Sequence, residues 1–149
     1  MKEVVAVATV FDVAKYILER QSPISTWKLQ KLCFYCQAWH YAWTERPLFP
    51  EHFEAWVNGP VCPALFGMHR GKFTVSVEDI DGHADCLTDD ERDSVNIVLR
   101  DYGDMEPYEL RSLTHREDPW KLARGDIPDD AKCTNEITLE SMGLYYGGL

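Results

Sequence analysis

With 149 residues, 45% of them apolar and 27% charged, the chain can bury one core and is too balanced to be disordered or fibrous. Fifteen Lys and Arg against 25 Asp and Glu leave a net charge of −10, which disfavours nucleic acid as a partner and suits a basic protein. No apolar run reaches the ~18–20 residues that span a bilayer, and five cysteines without regular spacing make no disulfide framework, so a reduced, cytoplasmic chain with no membrane partner is expected.

Glu3 and Asp12 interrupt the N-terminal apolar stretch, so it does not read as a signal peptide. Val4, Val7, Phe11, Ala14, Ile17 and Leu18 recur at spacings of three and four and predict an amphipathic helix ending near Arg20. The segment 21–25 breaks it. Ser25 is placed to cap a second helix, and Pro47 is expected to enforce a stop after about Thr44. Leu29, Leu32, Cys33, Cys36, His40 and Trp43 form the apolar stripe of that helix. Next, "FEAWVNGPVCP" reads as a brief strand entering a turn at Gly59-Pro60, with a short helix from about Pro63. Phe73, Val75 and Val77 alternate with polar residues and predict a second short strand, followed by a loop over 80–87. Thr88 and Glu91 make a capping box for a helix that carries Val95, Val98, Leu99 and Tyr102 and ends at Gly103. Pro107 opens another short helix through Leu110 and Leu113. A polar turn "THREDP", a helical stub "WKLAR" and a last helix within 134–146 complete the chain. The expected fold is one domain, mainly α (α+β with minor β). It is a compact helical bundle with a short two-stranded element around 53–57 and 73–77.

Three stretches carry candidate chemistry. Cys33, Cys36 and His40 fall on one helical face, which invites a metal- or thiol-dependent enzyme as an alternative reading, with His115 as a possible base. Structural zinc sites, however, take a cysteine pair from a turn and a second pair elsewhere, and no second pair follows. Reactive CxxC motifs sit at helix N-termini, whereas buried free cysteine packs as a small hydrophobe. Core packing is therefore the favoured reading, with no metal. The stretch "LTHREDPWKLAR" reads first as a capped turn, with Pro119 opening a helix and Trp120 packing back onto the domain. It is also the densest polar cluster beside an aromatic, and so a candidate binding surface. A tight turn at Gly59-Pro60 would expose Trp56 and Asn58; the plainer alternative is a strand-to-helix corner with Trp56 in the core. The chain contains no GxGxxG, P-loop, GxSxG or HExxH, so no catalytic residue and no cofactor is assigned.

In order along the chain, "LQKLCFYCQAW", "FEAWVNGPVCPALF" and "LTHREDPWKLAR" resemble the Panacea domain family, which includes SocA-like antitoxins and phage-associated GepA-like proteins. That family's pattern runs approximately LQKLLYYAQGW, FEAWxxGPVxPxLY and LTHxExPWxxA. The similarity covers most of residues 13–125 and leaves 126–149 unmatched. Cys33 stands where the pattern has Leu, Cys36 where it has Ala and His40 where it has an aromatic. The resemblance implies a mainly helical, non-catalytic domain that neutralises a cognate protein toxin by direct binding, or as an adaptor that delivers the toxin to a ClpXP-type protease. Partner contacts are then expected at Trp56, Asn58, Gly59, Pro60, His115, Glu117 and Trp120. A transcriptional regulator is a further alternative, since antitoxins often repress their own operons. The charge and the lack of a basic recognition helix argue against it. A homodimer is compatible with the aromatic content, although no heptad pattern supports one.

Overall fold

The protein is described by a computed structural model covering residues 7–149. The first helix, α1 (Val10–Arg20), starts at a reciprocal cap. The Asp12 amide donates to the Thr9 hydroxyl, and the Thr9 amide donates to the Asp12 carboxylate. Val7 precedes this cap and is exposed, and Val4 lies outside the described residues, so the helix begins later than the apolar spacing predicts.

Helix α2 (Thr26–Thr44) is capped by Ser25, whose hydroxyl accepts from the amides of Trp27 and Lys28. It stops at Glu45, which adopts a left-handed conformation (φ 59°), two residues before the proline expected to end it. Every residue from Leu29 to Ala38 is buried, including Gln30, Lys31 and Gln37. A helix enclosed on all sides is the spine of a core rather than an amphipathic surface helix. Its two buried glutamines are matched to backbone. Gln30 bridges the Cys62 amide and carbonyl, and Gln37 bridges the Leu48 amide and the Phe49 carbonyl. Trp43, expected on the buried stripe, is instead exposed near the end of the helix.

Of the two predicted strand segments the first forms over Phe53–Trp56 and the second only over Thr74–Val75, with Val77 opening a 3-10 turn, and they do not pair with each other. Strand β1 (Ile24–Ser25) pairs antiparallel with β4 (Thr74–Val75). Strand β2 (Phe53–Trp56) lies between β3 (Gly59–Val61) and β5 (Glu136–Ile137), both antiparallel to it. The turn between β2 and β3 is at Val57 and Asn58, so Gly59 and Pro60 are strand residues rather than the turn. Pro60 is tolerated because β3 is an edge strand.

Helix α3 (Pro63–His69) starts at the expected proline, and short 3-10 turns at Val77–Asp79 and Ala84–Cys86 interrupt the following loop. Helix α4 (Asp89–Tyr102) has the Thr88–Glu91 capping box and ends at Gly103, as the sequence predicts. Helices α5 (Pro107–Arg116) and α6 (Asp118–Arg124) share Glu117 as a joint. The "THREDP" segment is therefore the last turn of one helix and the first of the next, not a free polar turn. Helix α7 (Leu139–Gly147) is capped by Thr138, and its Met142 and Tyr146 enter the same core as α2. The C-terminal segment thus supplies both a strand and a core helix. Among the described residues, no helix is long and apolar enough to cross a membrane.

Candidate functional site

The three motif stretches, distant in sequence, meet at the β2–β3 hairpin. Gly59 has φ +109°, and a Cβ there would stand 2.5 Å from Lys31 Cε and 3.1 Å from Thr114 Oγ1. Only glycine admits both that backbone and that approach. Lys31 comes from α2, Gly59 from the hairpin and Thr114 from α5, so one contact joins all three.

Side chains of α6 then hold two successive hairpin residues by their backbone. Arg124 donates to the Ala55 carbonyl at 2.7 Å. The Trp120 indole donates to the Trp56 carbonyl at 2.8 Å. The His115 ring stacks on Trp120 with centroids 3.9 Å apart and planes within 9°, and the Arg124 guanidinium lies over the same indole at 4.8 Å. Arg124 also reaches the carbonyls of Pro128 and Ala131, which ties the following loop to the hairpin.

The electrostatics here are unusual for an acidic protein. Lys31 Nζ and His115 Nε2 are buried without a hydrogen-bond partner. Burial, and then the charge of Arg111, bring the Lys31 amine down to about 7. Burial, followed by Arg111 and Lys31, brings His115 down to about 4. His115 is therefore neutral at neutral pH, and the Lys31 amine gives up its proton far more readily than an exposed lysine. Glu117 is the acidic counterpart on the other side of the joint. Its Oε1 accepts from Tyr35 at 2.6 Å and from Tyr146 at 2.9 Å. Burial raises its pKa, and the two phenols oppose that shift.

Of the seven residues expected to contact a partner, Asn58 alone is exposed, at the tip of the hairpin. Trp56 and His115 are half-buried; the Trp56 indole donates to Glu54 Oε1 at 2.8 Å and its ring meets Phe66. Gly59, Pro60, Glu117 and Trp120 are buried. The structure brings Trp56, Gly59, His115 and Trp120 into one cluster, with Asn58 and Pro60 on the hairpin beside them. Glu117 lies behind, on the side facing α2 and α7. The sequence reading missed Lys31, Thr114 and Arg124. Lys31 had a usable signal: a charged residue in a ten-residue stretch that is otherwise apolar but for two glutamines needs a structural reason. Arg124 had none, because its carbonyl partners come from two segments, the distant hairpin and the loop that follows α6.

Cys33 and Cys36 are fully buried in the core, where burial raises both thiols well above their ordinary value. Burial also pushes Cys62 up to about 11. His40 shares a 2.8 Å hydrogen bond between Nδ1 and the Ser94 hydroxyl on α4. Among the described residues, no group of three His, Cys, Asp or Glu is arranged to hold a metal ion.

A family model described as antitoxin SocA-like, Panacea domain, matches residues 29–121, which is more than half of the chain. No curated protein and no solved structure gives a match. The matched segment begins two residues before Lys31 and ends one residue after Trp120. It contains the whole hairpin and omits Arg124 and α7.

Proposed function

Since the chain belongs to the SocA-like antitoxin family with its Panacea domain, we propose that it is a protein-binding module that neutralises a cognate protein toxin by direct binding. The observation that carries this reading is the meeting of all three motif stretches at Gly59, where the shared residues serve to fix a hairpin rather than to assemble reactive groups. Held at Ala55 and Trp56, the hairpin presents its tip with little freedom left to lose on binding, which favours affinity. Asn58, Trp56 and His115 are the contact residues of this reading. Beneath them Trp120 holds the hairpin backbone and Gly59 and Pro60 form its second strand, while Glu117 ties α2 to α7 behind it. The net charge of −10 suits a basic toxin.

Co-expression tests the function directly. The reading predicts a neighbouring open reading frame whose product is toxic alone and harmless when this chain is present. If no neighbour behaves so, the proposal fails. Toxin half-life separates the two means of neutralisation: simple occlusion leaves it unchanged or longer, whereas delivery to a ClpXP-type protease shortens it.

A further inference from the structure

Helices α6 and α7 pack together and leave a groove of about 620 Å³ on the outside. Asp118 and Leu122, one turn apart, line it from α6; Ser141, Leu144 and Tyr145 line it from α7, and Gly148 from just past its end. Leu122 is 68% and Leu144 74% exposed, although a leucine on a packed helix would ordinarily face the core. Two such residues in one concavity make an apolar surface that the fold itself does not use. Leu144 also borders a second depression, shared with Tyr41 and Gly143, and so stands as a ridge between the two.

Charge indicates what covers this surface. The ionised side chains around the two depressions are Asp118, Glu140 and Glu45, and no Lys, Arg or His lines either one. Asp118 has Lys121 at 3.9 Å, while Glu45 and Glu140 have no ion-pair partner among the described residues. A symmetric pairing with a second copy would set acid against acid. A basic partner would meet an unpaired carboxylate on each side of an apolar ridge. The flanking elements are helices, and a groove between two helical ridges accepts a third helix through side chains spaced three and four apart.

We propose that the α6–α7 groove is the specificity surface for the toxin and docks a basic amphipathic helix of it, apolar side chains against Leu122 and Leu144 and Lys or Arg against Asp118, Glu140 and Glu45. This rests on the antitoxin reading and adds to it the place and chemistry of recognition. Of the groove residues, only Asp118 lies within the segment matched by the family model. The hairpin cluster is therefore the framework common to the family, and the groove is the part belonging to this chain.

The test uses the full chain and the purified toxin that passes the co-expression assay. Leu122→Asp and Leu144→Asp, both at exposed positions, should retain the wild-type circular dichroism and lose about 10- to 100-fold in toxin affinity by calorimetry. Asp118→Asn with Glu140→Gln should weaken the salt dependence of association. Phe73→Asp, at a still more exposed apolar residue away from the groove, should bind as wild type does. Unchanged toxin affinity in both leucine variants would overturn the proposal while leaving the antitoxin function intact. If the wild-type chain itself does not bind the toxin, the function falls and this occupant falls with it. A dimer seen by sedimentation and abolished by Leu144→Asp would assign the groove to a second copy and likewise overturn the proposal.

Discussion

Replacing Lys31 with methionine should make the protein more stable, by an amount that depends on pH. The amine is fully enclosed and lacks a hydrogen-bond partner; its nearest compensation is the Trp27 ring at 5.2 Å. Its pKa falls from the ordinary 10.5 to about 7 on folding. At about 1.4 kcal/mol per pH unit, that difference corresponds to roughly 5 kcal/mol of destabilisation when both states are protonated. Water reaching the amine through local opening, and the cation–π contact of about 0.5–1 kcal/mol, reduce the net figure. Between pH 7 and 10.5 the unfolded chain holds more protons than the folded one, so wild-type stability rises with pH across that window. Below pH 7 the full penalty is present and constant. Lys31→Met keeps the side chain's length opposite Gly59 and removes the titration. Urea denaturation at pH 6.5 should show the variant more stable by about 2–4 kcal/mol, with the advantage shrinking steadily toward pH 10. A variant that is less stable at every pH, or whose advantage does not change with pH, would refute the reasoning.

Gly59→Ala should cost at least about 1–3 kcal/mol in urea denaturation, because its φ is strained for alanine and its Cβ would strike Lys31. Trp120→Phe keeps the stacking on His115 but strips the donor from the Trp56 carbonyl, and should cost about 1–3 kcal/mol of stability. Tyr146→Phe removes one of two phenols from Glu117, and carboxyl NMR titration should show that acid's pKa rising further. Because the Glu117 pKa is already raised in the folded state, its contribution favours folding at low pH and is lost as pH climbs through that pKa. Cys33→Leu with Cys36→Ala, measured by toxin affinity, should leave binding within about threefold of wild type, since both thiols serve as core volume.

Where one helical turn or one cap determines the answer, the sequence was a reliable guide. Ser25, the Thr88–Glu91 pair, Pro63 and Pro107 mark their helices correctly because capping involves only neighbouring residues. Strand pairing was not legible. Segments 53–56 and 74–75 have nearly the same alternation, yet their partners are set by where α2 and the C-terminal segment pack. The candidate site was half legible. The motif residues marked the right cluster, but a sequence does not show which side of a backbone faces inward, so Trp120 and Glu117 looked like contact residues and are buried. The groove was invisible for the opposite reason: Leu122 and Leu144 fit a helical core pattern, and only packing shows them facing out.

The way β5 and α7 enter the core bears on the lifetime of the protein. Ile137 pairs with Phe53 at the free edge of β2, and Tyr146 closes over Tyr35 and Glu117. The link from α6 to these two elements is an irregular segment over 125–135, much of it exposed. A single protease cut in that loop would allow an outer strand, a core helix and one of the donors to a buried carboxylate to dissociate together. The same loss would take away one wall of the α6–α7 groove, so one cleavage would end both the stability of the chain and its capacity to recognise a partner.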